Sequence, residues 1–419
     1  MFAVLRNSWA LLLGMFLLML GNGMQGTVLG LRGGIEAFES TTMGFVMAGY
    51  FAGFLGGAQA APWLVQRVGH VRVFAALASL ISAAFIIFAA VVDPIAWTLM
   101  RFVVGFCFSG VYVVAESWLN DRSTNETRGQ ALSAYLMVQM LGIIVAQGLI
   151  NVADPGGYDL FVIMSVAVSI SFAPMLLSAG PAPVFSTTRR MSLGQLFRTS
   201  PLGCVGTFLL GAVFAAQFGM GAVYATEIGL SKAEISVFIG AIYVGGLVLQ
   251  FPIGWLSDRT DRRALITMVT VLGSTGCLVG LVFGGSFGAL VITAFLMGGT
   301  SNPLYSLLIA HTNDFLAHED MASASGGLIV LNGIGAVGTP ILVGYLMQAL
   351  GPPAFLGFIA TIMAAIAAYA MYRMTVRPAR AVEETSPIAP FSMVSGTQVA
   401  AEIAQEIAIE QASDEENPA

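Results

Sequence analysis

A chain of 419 residues that is 57% hydrophobic and only 10% charged lies far outside the composition of soluble domains, where about a quarter of residues are charged. Its mean hydropathy of +0.84 places it among membrane proteins. The net charge of −6 belongs to a tail, because eight of the 23 acids follow residue 380: Glu383, Glu384, Glu402, Glu406, Glu410, Asp414, Glu415 and Glu416.

Long apolar windows alternate with short polar breaks. That pattern predicts spanning helices rather than barrel strands, since a helix satisfies its own backbone hydrogen bonds in hydrocarbon. In chain order twelve windows are long enough to cross a core about 30 Å thick. The first six are Trp9 to Leu31, Thr42 to Leu64, Arg72 to Val92, Ile95 to Trp118, Gly129 to Asn151 and Asp159 to Ser178. The second six are Leu202 to Thr226, Ala233 to Leu256, Ala264 to Ser286, Gly288 to His311, Met321 to Ala349 and Pro353 to Met374. The first window is too long, and too poor in a small-residue cleavage site, for a signal peptide. Cys107, Cys204 and Cys277 lie inside apolar runs and are expected as packing residues, with no disulfide framework or metal site.

The basic residues orient the helices, because Lys and Arg of short loops stay on the cytoplasmic side. With the N-terminus inside, only Arg32 and Lys232 of the 17 basic residues fall outside, and Arg101 lies within the fourth span. Both termini are therefore expected in the cytoplasm. Residues 1–178 form a first six-helix half and 201–374 a second. Residues 179–200, rich in Pro, Ser, Thr and Arg, read as a cytoplasmic central loop, and 375–419 as an acidic, largely disordered tail. Within the tail, Val399, Ile403 and Ile407 recur at four-residue spacing beside Glu402, Glu406 and Glu410, the pattern of a short amphipathic helix. That helix is either solvated or docked on the arginine-rich cytoplasmic loops.

The two halves repeat each other. Phe16-Leu17-Leu18, Gln25 and the Trp63, Leu64, Arg67 set recur 192 positions later as Phe208-Leu209-Leu210, Gln217 and Trp255, Leu256, Arg259. Tyr112, Asn120 and Asp121 recur as Tyr305, Asn313 and Asp314 after 193. Two parallel six-helix repeats are an arrangement used by secondary transporters, with the solute site near the midplane between them. The stretch Gly254 to Arg263 then resembles the signature loop of the major facilitator superfamily, Gly-x-Leu-x-Asp-Arg-x-Gly-Arg-Arg. It matches at Gly254, Leu256, Asp258, Arg259, Arg262 and Arg263 and departs at Asp261. Arg101 followed by Gly105, Ser109 and Gly110 resembles the family's second signature. Glu116-Ser117-Trp118 and Arg128-Gly129 resemble a bacterial branch of it. The resemblance implies an all-α membrane protein of twelve transmembrane helices in two pseudo-symmetric halves, transporting a small organic solute by alternating access. It implies a multi-pass location in the bacterial inner membrane, contact with the lipid bilayer, and a monomer without a nucleic-acid partner. The alternatives are a proton-driven efflux antiporter and, from another class, a non-transporting membrane sensor or scaffold. No nucleophile with a base, metal-ligand spacing or phosphate loop points to an enzyme.

The same resemblance supplies candidate sites. In most relatives the first copy of the signature loop is the better one, whereas here Gln66 stands in place of its acid and the second copy carries Asp258. A negative charge beside the positive N-terminal end of a helix would latch the halves on the cytoplasmic side. Asp258 is expected to face the start of the fifth span near Arg128, and Arg262, beside Arg259, to bridge to Asp314. The equivalent latch would use Arg67 or Arg72 with Glu116 or Asp121; the alternative is headgroup-level charges that enforce topology. Glu116, roughly 22 Å along the helix from Arg101, is expected to pair with a loop arginine.

Arg101 is a charge inside a span, which by default points to function. It could hold an anionic solute or sense a proton carrier, unless it snorkels to the headgroups. In this family spans one, four, seven and ten usually line the cavity. Asn22, Gln25, Tyr112, Gln217, Tyr224, Asn302 and Tyr305 join Arg101 as cavity candidates, with Gln139, Gln147, Gln250 and Asn332 in support. For each of them helix-to-helix hydrogen bonding is the competing role. Arg32, Glu36 and Glu227 are expected at the outer mouth, and His311 and His318 as solvated span ends. No cofactor is expected. Proton coupling remains possible, although no acid stands clearly at mid-bilayer.

Overall fold

The computed structural model describes residues 2–121, 123, 125–174 and 191–376; of these, the side chains of 2–7, 121, 125–129, 318, 319 and 322 are not described. The described residues form helices joined by short turns, with no strand among them. In chain order the helices are α1 (Phe2–Ile35), α2 (Ser40–Val68), α3 (His70–Ala90), α4 (Pro94–Asp121), α5 (Asn125–Leu149), α6 (Asp159–Ser171) and a short α7 (Leu193–Thr199). They continue with α8 (Pro201–Glu227), α9 (Lys232–Ser257), α10 (Arg262–Phe283), α11 (Phe287–Asn313), α12 (His318–Val337), α13 (Thr339–Leu350) and α14 (Ala354–Val376). Ten spans among the described residues are long and apolar enough to cross a membrane, with α12 and α13 forming one of them. The two other expected windows are α2, whose 29 residues are rich in Gly, Ala and Thr, and α6, with 13 helical residues.

Three local features depart from the expected plain spans. The seventh window carries a π-helical turn at Ala216–Met220, which surrounds Gln217; such turns widen a helix and often mark functional positions. The eleventh breaks at Gly338, and Pro340 in the first turn of α13 cannot supply the N–H that a continuous helix would need. The central loop is not wholly irregular. Ser192 caps α7, and Leu196 is buried against Cys204, Ala324 and Leu328.

By packing, the chain forms two compact units. Of the described residues, unit 1 takes those up to 174, Ala215–Gly240 and Ala336–Phe355; unit 2 takes 191–214, Ala241–Gly335 and 356–376. Inside unit 1, α2 and α4 approach backbone to backbone. A Cβ on Gly53 would collide with the Phe102 carbonyl, and one on Gly105 with the Tyr50 carbonyl. Inside unit 2, α9 and α11 do the same through Gly245 against Phe295 and Gly298 against Ile242. Gly53 and Gly245 are 192 positions apart, and Gly105 and Gly298 are 193 apart, the spacings of the sequence repeat. Small residues at such crossings let helices gain dispersion contacts where lipid removes the hydrophobic driving force.

One end of unit 1 is tightly shut, where α1 finishes and α2 begins. Gly30 of α1 lies against Ala222 of α8, Gly44 of α2 against the Pro340 carbonyl, and Gly344 of α13 against the Ser40 carbonyl. Polar contacts close the same end. Ser40 donates to Glu227, Gln348 Nε2 donates to Glu39 Oε2 at 3.0 Å, and Lys232 Nζ donates to the Ala153 carbonyl at 2.8 Å.

Candidate functional site

Four of the eight cavity candidates meet in unit 1, on α1 and α4. Arg101 is 3% exposed and does not snorkel. Its Nη1 donates to Gln25 Oε1 at 2.9 Å, its Nη2 faces Met47 Sδ at 3.4 Å, and its guanidinium lies 4.8 Å from the centre of the Tyr50 ring. From Gln25 the bonds run in one direction: its Nε2 donates to Asn22 Oδ1 at 2.6 Å, and Asn22 Nδ2 donates to the Tyr112 hydroxyl at 2.9 Å. The arginine imposes this polarity, because a guanidinium only donates and so turns the amide oxygen of Gln25 toward itself. The Tyr112 hydroxyl in turn faces Met19 Sδ at 3.4 Å, and the Tyr50 hydroxyl approaches Asn22 Oδ1 at 3.4 Å. Arg101 and Gln25 lie buried, while Asn22 and Tyr50 keep part of their surface exposed. Asn22 and Tyr50 are thus where a solute would first touch this relay.

The positions follow from helix geometry. Asn22 and Gln25 are three residues apart and share a face of α1. Glycines let α2 lie close enough to α4 for Tyr50 and Met47 to reach Arg101. Tyr50 and Met47 escaped the sequence reading, which sought the cavity on spans one, four, seven and ten. The run Gly49, Gly53, Gly57 was the available signal that α2 approaches a neighbour on this side.

The other candidates lie elsewhere. Gln217 is buried in the π turn, and Tyr224 stacks on Phe355 with ring centres 4.7 Å apart; both belong to unit 1. Asn302 and Tyr305 are buried in unit 2, where Asn302 Nδ2 donates to the Gly298 carbonyl at 3.1 Å. Three of the supporting amides fasten helices. Gln147 holds α5 to α1 through Thr27 and the Gly23 carbonyl, Gln250 donates to Ser306, and Asn332 donates to the Thr207 carbonyl.

Among the charges proposed for a latch, Arg262 is buried and paired with Asp314, and also donates to Ser257 Oγ at 3.2 Å and the Ala310 carbonyl at 3.3 Å. Asp258 stands 3.8 Å from Arg262 and is 41% exposed. Arg259 lies 4.4 Å from the centre of the Trp255 ring, and Arg67 lies 5.3 Å from that of Trp63. The repeated Trp and Arg thus form the same stacked pair twice, as amphipathic side chains do at an interface. Arg72 is exposed, and the side chains of Asp121 and Arg128 lie outside the described residues.

Glu116 is fully buried and accepts from the Tyr135 hydroxyl at 3.2 Å. One expectation needs correction. His311, expected in solvent, is 6% exposed and lines a small cavity with Arg263 and Arg373, edge-on to Phe315. The side chain of His318 and the whole tail helix fall outside what is described. Asp261, the departure from the signature, caps α10 by accepting from the Arg263 N–H at 2.9 Å. Burial pushes its carboxyl upward, but the hydrogen bonds and charge of Arg263 outweigh this and hold it below the ordinary aspartate range.

The Major Facilitator Superfamily matches this sequence over residues 11–224 and again over 203–404. The chain belongs to that superfamily. It is a multi-pass membrane transporter of the secondary type, moving a small solute through the bilayer rather than catalysing a reaction. The uncharacterized MFS-type transporter YcaD of Escherichia fergusonii is 25% identical over 349 residues, covering 82% of this chain and 89% of that protein. YcaD of Salmonella paratyphi A is 25% identical over 354 residues, with 83% and 91% covered. The fold is similar to that of the nucleoside transporter NupG, with a TM-score of 0.73 at 15% identity over 88% of this chain and all of that one. It is also similar to a bacterial homologue of the human lysosomal transporter Spinster, with a TM-score of 0.68 at 14% identity over 99% of each chain.

Proposed function

We propose that this superfamily member carries its solute across the bacterial inner membrane as a monomer with both termini in the cytoplasm, and that the solute binds at Asn22, Gln25, Tyr50, Arg101 and Tyr112. The observation that carries this reading is the one-directional relay from buried Arg101 to partly exposed Asn22. Buried polar groups in hydrocarbon need partners, and this set offers donors and acceptors on a surface that a solute can reach. With the N-terminus inside, the shut end of unit 1 is the external gate. Alternating access then requires Gly30, Gly44 and Gly344 to part from their neighbours. Gln217 and Tyr224 extend the proposed site within unit 1, and Asn302 and Tyr305 are the proposed solute contacts of unit 2. The proposed cytoplasmic latch residues are Asp258, Arg259, Arg262 and Asp314 of unit 2, with Arg67, Arg72, Glu116, Asp121 and Arg128 as the proposed latch residues of unit 1.

The test is reconstitution into proteoliposomes and counterflow of labelled metabolites, with and without a pH gradient. We expect saturable exchange that Asn22→Leu and Gln25→Leu abolish in well-folded protein. Exchange unaffected by both substitutions would remove the site from the reading. Alkaline phosphatase fused after residue 380 tests the topology: activity there would refute a cytoplasmic C-terminus.

A further inference from the structure

Arg101 has no carboxylate within reach among the described residues. Its surroundings are the Gln25 amide from α1 and the Met47 sulfur and Tyr50 ring from α2. Each is electrically neutral, and the thioether is a weak acceptor. Its Nε, though buried, has no hydrogen-bond partner. The contrast with unit 2 is direct: there the buried guanidinium of Arg262 faces Asp314. A buried cation without a counter-charge is costly in a low-dielectric interior, where breaking a buried ion pair is far more damaging than replacing it with apolar groups. A permanently charged fork that binds carboxylates bidentately is suited to a site that an anion completes.

We infer that the solute is a monoanionic organic carboxylate with an apolar or aromatic body, and that Arg101 supplies its counter-charge; this rests on the relay being the solute site. The single guanidinium sets the charge, since one cation neutralises a carboxylate but leaves a phosphate dianion half compensated. The rings set the body. Tyr50, Phe54, Phe108 and Tyr112 form a continuous aromatic group, with neighbouring ring centres 6.0 to 6.5 Å apart, beside the charge. Asn22 and Gln25 orient the carboxylate end.

The purified full chain is titrated with benzoate, 3-phenylpropionate and octanoate, each against its primary amide, and with phenyl phosphate, following thermal stability and apparent Kd. At least one carboxylate should bind tenfold or more tightly than its amide, about 1.4 kcal/mol. In Arg101→Gln its Kd should rise to that of the amide. In Arg101→Lys, which keeps a point charge without the fork, the preference should fall at least threefold, and this variant decides the matter if Arg101→Gln does not fold. No carboxylate preference across the panel, a preference unchanged in the variants, or tighter binding of phenyl phosphate than of every carboxylate would each overturn the inference. Counterflow separates this from the transport site. Exchange of a neutral solute that no carboxylate inhibits sinks the anion and leaves the carrier, whereas carboxylate binding without any exchange keeps the anion and removes the transport role of the relay.

Discussion

Replacing Asp314 with Asn should destabilise the protein far more than replacing Asp258, although both carboxylates stand near Arg262. The Arg262 and Asp314 side chains are 2% and 5% exposed, so the pair sits out of water. Asn keeps the shape and removes the charge. Arg262 then loses its buried carboxylate, while Ser257 Oγ and the Ala310 carbonyl, at 3.2 and 3.3 Å, are neutral acceptors. Stranding a buried charge in this way costs about 3–5 kcal/mol. Asp258 cannot make up the loss in place, because it is 3.8 Å away and 41% exposed, where an ion pair is worth at most about 1 kcal/mol. Denaturant unfolding in mixed micelles, followed by tryptophan fluorescence, measures both variants. Arg262→Met with Asp314→Leu should recover most of the loss, since apolar replacement of a buried pair is often near neutral. If Asp314→Asn falls within 1 kcal/mol of wild type, or Asp258→Asn costs as much, burial does not govern this cluster and the reasoning fails.

Gly53→Ala and Gly245→Ala should each lower the yield of monodisperse protein on size exclusion. The added Cβ meets a backbone carbonyl that cannot rotate away, and overpacking of this kind costs about 1–3 kcal/mol. Asp261→Ala should cost about 1 kcal/mol at pH 7 through loss of the α10 cap. Because the folded carboxyl is held below its ordinary value, its contribution is complete above about pH 4 and disappears as the pH falls through the lower folded value. Unfolding curves should therefore show the gap from wild type constant between pH 6 and 8 and narrowing only in acid. Gly344→Leu should hold the shut end of unit 1 apart, since the side chain would enter the Ser40 carbonyl. Labelling of Asn22→Cys by an externally added, membrane-impermeant maleimide should then rise several-fold, against a low background because Cys107, Cys204 and Cys277 are buried. Unchanged labelling would refute the external gate.

Much of the architecture was readable in the residues. Hydropathy placed the spans because backbone polar groups in lipid must be satisfied within each helix, which leaves little choice of structure. The 192-residue offset found in Trp63 and Trp255 also relates the glycines of both helix crossings, so the repeat was written in packing residues as well as in charges. Arg101 stood out because an ionised group in a span is rare. Its partners were hidden, since the glycine run of α2 marks a close approach without naming α4 as the neighbour, and Tyr50 and Met47 are unremarkable residue types for a membrane helix. His311 was misjudged for a related reason: position along a helix fixes depth, but only the neighbouring helices decide burial.

By itself, then, the sequence determined the helical membrane class, the duplication and the superfamily, all of which rest on properties local in the chain: window hydropathy, spacing and a signature loop. The tertiary structure decided that buried Arg262 has a carboxylate from a distant helix and buried Arg101 an amide. Arg262 meets Asp314, 52 residues on, while Arg101 meets Gln25, 76 residues back, and such meetings are set by helix crossings rather than by spacing.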